Sequence, residues 1–103
     1  MNERERYVML VTVDIPSERE AAWNDWYNQE HVPDVLACPG FRSVHRFQAV
    51  QGTGTRYITL YEIEGPGVRE SAEFTRIKGW YAFADDVIEP RISIYRQFFS
   101  QEA

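Results

Sequence analysis

The chain has 103 residues, 11 basic against 16 acidic side chains for a net charge of −5, and 15% aromatic residues. That length suits one domain over residues 1–103, burying roughly two thirds of the surface its unfolded chain exposes. The acidic balance, interrupted only by scattered arginines such as Arg4, Arg6, Arg42 and Arg46, argues against nucleic acid as a partner. No apolar run approaches the roughly 20 residues that span a bilayer, and the charged start Asn2-Glu3-Arg4-Glu5-Arg6 is unlike a signal peptide. A cytoplasmic location without a membrane partner is expected. The single cysteine, Cys38, cannot form an intramolecular disulfide or a thiolate zinc site, and reads as a small residue in the turn before Pro39-Gly40.

Tyr7 to Asp14 is a run of Tyr, Val, Met, Leu and Thr, β-rich on both of its faces, and predicts a central strand. Ser17 followed by Glu20 has the spacing of a capping box, starting a helix that runs through Glu30 until Pro33 interrupts or kinks it. Pro39-Gly40 then turns the chain, and Phe41 to Val50 alternates as a second strand. Gln51 to Thr55, with two glycines, predicts a hairpin turn into a third strand over Arg56 to Glu64. Val68, Ala72, Phe74 and Ile77 recur at helical spacing, a less regular stretch follows from Lys78 to Val87, and Pro90 opens a final strand, Arg91 to Phe99.

The order is β-α-β-β-α-β, an α+β, ferredoxin-like unit with a four-stranded antiparallel sheet and two helices on one face. Two helices cover one face only, yet Val8, Leu10 and Thr12 look as buried as Tyr7, Met9, Val11 and Val13. A second copy of the sheet is the simplest cover, so a homodimer is expected.

The segment Trp23 to Pro33 is the most informative stretch. On a helical wheel Trp23, Trp26, Tyr27 and Glu30 share one arc with His31 at its edge, while Asn24, Asp25, Asn28 and Gln29 point away. Glu30 is therefore expected to be buried and hydrogen-bonded, either in a structural network with Arg or Tyr or in the lining of a pocket. His31 reads either as a proton-transfer or ligand-contacting group, since imidazole titrates near neutrality, or as a cap on the helix C-terminus. Trp23, Trp26 and Tyr27 suit a core, and would equally wall a flat slot for an aromatic molecule. His45 and Arg46 lie on opposite faces of the second strand, so one of them faces the helices; Arg46 and Tyr61 are further candidate contacts for an occupant of the slot. Two histidines and Glu30 have no spacing that fixes a metal site, and no phosphate loop, dinucleotide fingerprint or Ser/Cys nucleophile motif is present. Neither metal nor cofactor is expected.

Trp23-x-x-Trp26-Tyr27-x-x-Glu30-His31-x-Pro33, followed by Pro39-Gly40-Phe41 at the start of the second strand, resembles the dimeric α+β barrel superfamily. Within it the likeness is to EthD-like and small stress-responsive barrel proteins. The resemblance implies two paired ferredoxin-like sheets and, in the EthD-like manner, a catalytic histidine after the first helix, here His31. It leaves the activity open among cofactor-free monooxygenases, cyclases, isomerases, decarboxylases, dehydratases and proteins of no known activity. The expected function is a cofactor-free lyase, isomerase or cyclase acting on a small apolar, cyclic or aromatic molecule. His31 would move the proton, Glu30 would orient it, and Trp23, Trp26, Tyr27, Tyr61 and Arg46 would hold the substrate. The alternatives are a non-catalytic small-molecule-binding or stress-associated dimer, and a cofactor-independent monooxygenase.

Overall fold

The computed structural model describes residues 5–103; the charged start at residues 2–4, including Arg4, lies outside them. Tyr7–Asp14 forms strand β1, Phe41–Gln48 β2, Tyr57–Ile63 β3 and Ile88–Arg96 β4. They make one antiparallel sheet in the order β2-β3-β1-β4, the ferredoxin-like arrangement that the order of elements predicts. Period-2 alternation explains which side chains meet. Met9, Val11 and Val13 of β1 stand opposite Tyr61, Thr59 and Tyr57 of β3, and all six are buried beneath the helices.

The opposite face carries Val8, Leu10, Ile58 and Leu60, half-buried by their neighbours in the sheet, with Phe47 and Tyr95 more than half exposed at 55% and 53%. The two-sided apolar character of β1 is thus real, but the helices bury only one side. β4 begins three residues earlier than its expected start and ends at Arg96 instead of Phe99. Pro90 is accommodated because β4 is an edge strand whose pairing with β1 slips between Thr12 and Asp14, so the missing N–H breaks no regular ladder.

Between β1 and β2 the chain is helical from Ser17 to Leu36, in three styles. A 3-10 turn, Ser17–Arg19, leads into α1, Glu20–Trp26; a π turn, Tyr27–His31, follows; α2, Val32–Leu36, completes it. The expected capping box does not form. Ser17 makes no side-chain cap, and Glu20 reaches across to the start of β3, where it accepts from the Tyr57 hydroxyl at 2.8 Å and from Nη1 of Arg56, the residue before the strand, at 2.9 Å. A carboxylate offered two tertiary donors is better satisfied there than by one backbone N–H.

Pro33 does not end the helix either. In an α-helix its ring would collide with the carbonyl four residues back, that of Gln29, and leave this oxygen without a donor. Gln29 lies in the π turn, whose wider backbone removes that conflict. Past β3, a 3-10 turn, Pro66–Glu70, precedes the short helix α3, Ala72–Ile77, whose first turn is capped by Ser71 Oγ accepting from the Phe74 N–H at 3.0 Å.

The core divides in two. Met9, Val35, Phe41, Tyr61, Ile63, Val68 and Phe74 belong to one cluster, and Val13, Ile15, Trp23, Tyr27, Tyr57 and Phe83 to the other; Trp80 packs against both.

Gly40 joins α2 to β2 at φ +86°, and a Cβ there would stand 2.6 Å from Val68 Cγ1. Gly40→Ala therefore combines left-handed strain with a clash and should cost about 2–3 kcal/mol, against about 1 kcal/mol for Gly52→Ala, whose φ is also positive but whose surroundings are open. Urea unfolding of the two variants compares them directly.

Candidate active site

Trp23, Tyr27, His31 and Val35 form one buried stripe on the helical segment, at 0%, 1%, 8% and 1% exposure. An α-helix advances roughly 100° per residue, so eight residues past Trp23 it would carry His31 well off that line and place Glu30 close to it. The π turn inserts one extra residue and returns the stripe by about that angle. His31 takes the place expected for Glu30, and Glu30 is exposed. The expectation that Glu30 is buried and bonded is overturned by this change of phase: the side chain is exposed and makes no side-chain hydrogen bond among the described residues.

His31 is packed among aromatic rings. Trp26 stacks on the imidazole at 4.8 Å between centroids and 20° between planes, Tyr27 meets it edge-on at 5.0 Å, and Trp80 lies tilted at 6.3 Å. Burial lowers its pKa from 6.5 to about 4; Arg46 acts in the same direction and Asp34 against it. At neutral pH the side chain is an uncharged imidazole.

His31 also lines a cavity of about 310 Å³ at the junction of the two core clusters. Met9 and Val11 of β1, Tyr61 of β3 and Ile92 of β4 contribute from the sheet, Tyr27, His31 and Val35 from the π turn and α2, and Phe74, Gly79 and Trp80 from the far side. Arg69 and Lys78, both exposed, complete the lining where it meets solvent. The hydroxyls of Tyr27 and Tyr61 are 3.4 Å apart. Burial raises the pKa of both phenols, that of Tyr61 far above the usual range, so both remain protonated.

Of the residues singled out in the sequence, Tyr27, His31 and Tyr61 therefore meet at one cavity. Trp23 is wholly buried behind it, edge-on to Tyr27 and Tyr57. Trp26 backs the imidazole from the outside. Arg46 faces the helices and His45 the other way, exposed; the Arg46 guanidinium lies 4.1 Å from the Tyr27 ring centroid and donates to Asn28 Oδ1 at 2.7 Å, bracing the cavity wall from behind. Its Nη2 is buried without a partner among the described residues. Trp80, Arg69 and Lys78 escaped the sequence reading. The available signal was the tryptophan after Lys78-Gly79 in the irregular stretch: Gly79 has φ +115° just past the end of α3, and Trp80, the next residue, packs against both core clusters. Cys38 is buried in its turn, its thiol pKa raised by that burial, and takes no part in the cavity.

Residues 6–71, more than half of the chain, match the family described as "Domain of unknown function (DUF4286)". The chain belongs to this family. The DUF4286 match takes in Tyr27, His31, Val35, Tyr61 and Arg69, whereas Phe74, Lys78, Trp80 and Ile92 lie beyond it. No curated protein matches the sequence.

Solved structures share the fold. A candidate monooxygenase from Shewanella loihica PV-4 is 12% identical with a TM-score of 0.71, covering 92% of this chain and 96% of its own. A candidate antibiotic biosynthesis monooxygenase from Bordetella bronchiseptica is 17% identical with a TM-score of 0.70, covering 91% and 98%. An EthD family protein from Bacillus halodurans C-125 is 14% identical with a TM-score of 0.66, covering 89% and 99%. At these identities the likeness establishes the ferredoxin-like α+β fold shared by EthD-type proteins and by this DUF4286 member.

The depressed pKa of His31 has a consequence for stability. Between pH 6.5 and about 4 the unfolded chain binds a proton at His31 that the native chain does not, so stability falls as the pH falls through this window. The contribution lost is about 3 kcal/mol when the pH has passed below the native value. His31→Phe keeps a flat ring in the stripe and should flatten this part of the stability–pH curve, measured by urea unfolding from pH 7 to 4.

Proposed function

We propose that the protein is a cofactor-free enzyme acting on a small apolar, cyclic or aromatic molecule, with His31 as its proton-transfer group. The observation that carries this reading is a neutral imidazole in the wall of an otherwise largely apolar cavity. Packing alone explains its neutrality, but a histidine kept only for packing has no need of a cavity beside it.

An uncharged imidazole can accept a proton from a phenol or an activated C–H. The imidazolium and the substrate anion would then form together in a low-dielectric site where each stabilises the other. The Tyr27 and Tyr61 hydroxyls, held in the protonated form, are suited to donate to an oxygen on which negative charge develops. Trp80 and Phe74 offer flat apolar surface to the substrate body. Lyase, isomerase and cyclase chemistry all use such a proton transfer. Oxygenation of an electron-rich phenol uses it too, and the candidate monooxygenases among the structural neighbours favour this as the second reading.

Incubation with a panel of hydroxynaphthalenes and cyclic 1,3-diketones, followed by mass spectrometry and an oxygen electrode, separates the readings. Oxygen uptake matched to product marks the oxygenase, isomerised or cyclised product without uptake marks the first reading, and binding without turnover marks a binding protein. His31→Gln should lower kcat by about 10²- to 10⁴-fold with little change in ligand affinity. The acid limb of the rate should lie near pH 4 in the free enzyme, well below that of an ordinary histidine. Turnover that survives dialysis against a chelator supports independence of a metal.

We propose further that the working form is a homodimer joined through the open sheet face. Four strands of seven to nine residues abreast give a flat footprint on the order of 500 Å², below the roughly 800 Å² per partner of a stable interface, to which the relief of projecting side chains such as Phe47 and Tyr95 adds. Leu10 and Leu60 pair at its centre. Light scattering should give twice the 12.1 kDa chain mass, and Leu10→Lys should return it to the monomer.

A further inference from the structure

We infer that the ligand of the cavity is an organic anion: an apolar ring system within the cavity, carrying a carboxylate that is met at the opening by Arg69 and Lys78. This rests on the cavity being the ligand site, as proposed above, and adds the charge of what it takes.

The distribution of charge carries the inference. The chain holds 16 acidic residues against 11 basic ones, so a random sample of its surface favours carboxylates. The lining of this cavity contains two cations and no Asp or Glu. His31 adds no charge there at neutral pH.

Neither cation is paired with a carboxylate among the described residues. The ion pairs among the described residues are Arg19–Asp86, Arg42–Glu64 and Arg56–Glu20, and none uses Arg69 or Lys78. Their positions are also matched. Arg69 sits in the 3-10 turn before α3 and Lys78 follows its last residue, so they bracket the helix whose buried residue, Phe74, lines the same cavity. An arginine presents a planar fork that fits a carboxylate in two bonds, and the lysine ammonium adds a movable point charge. The cavity, at the lower end of the size range for ligand sites, leaves room for a small ring system and little more.

Isothermal titration calorimetry with 1-naphthoate and its neutral counterpart 1-naphthamide tests the inference on the full chain. In low salt 1-naphthoate should bind about tenfold tighter, the sum of two partly exposed charge contacts. The gap should shrink to about twofold or less in Arg69→Gln/Lys78→Gln, with the affinity for 1-naphthamide unchanged, and should narrow likewise in 0.5 M salt. Equal binding of the two compounds by the native protein, or a gap that persists in the double variant, overturns the anionic assignment while leaving the cavity reading intact. Ile92→Trp, which fills the cavity from the edge strand, should abolish binding of both. Binding that survives Ile92→Trp, or no binding of either compound, overturns the inference and the proposed site together.

Discussion

One extra residue in one helical turn decides what kind of surface the protein presents to its cavity. With regular α-helical winding, the stripe begun by Trp23 and Tyr27 would continue through Glu30, placing a carboxylate against the aromatic core at a cost only ionic or hydrogen-bond partners could offset. The π turn continues the stripe through His31 and Val35 and leaves Glu30 in solvent. An imidazole tolerates such burial because it can shed its charge, and the surroundings of Trp26, Tyr27 and Trp80 ensure that it does.

That turn is held in place from the sheet side. The Tyr57 hydroxyl donates to Glu20 and accepts from Asn24 of α1 and Gln48 of β2, tying the first helical turns to two strands. Further along, Arg46 of β2 lies over the Tyr27 ring and bonds Asn28, fixing the π turn itself. The polar residues behind the wall therefore act on the cavity indirectly, by keeping Tyr27 and His31 at a set distance from β1 and β3. Pre-set geometry of this kind is what proton transfer requires, since reacting groups must already be in reach when the substrate arrives.

The sequence showed the strands and their hairpin plainly, because side chains at period 2 leave a direct mark and Gly52 and Gly54 punctuate it. It showed which aromatics surround His31, because their types and approximate spacing survive a modest change of winding. It did not show the winding. A π turn has no residue signature of its own; the available hint was Pro33 inside a stripe repeating every four residues at Trp23, Tyr27, His31 and Val35. The Ser17/Glu20 pair carried the marks of a cap, and the stronger tertiary donors on Arg56 and Tyr57 took Glu20 away. Lys78 and Trp80 reach the cavity from an irregular segment and Arg69 from a 3-10 turn within a stretch that read as regular helix, so helical spacing alone did not bring them to His31.

Trp80 packs against both halves of a core that is otherwise divided, and the cavity lies along that division. An occupant touching Met9 and Phe74 on one side and Tyr27 on the other would serve as the missing interior side chain, joining two clusters that the polypeptide leaves apart. Binding and melting temperature are then coupled through the same apolar contacts. A ligand of the proposed site can be sought in a metabolite library by thermal shift, because an interior completed by an occupant responds to its shape and apolar fit whatever chemistry is proposed.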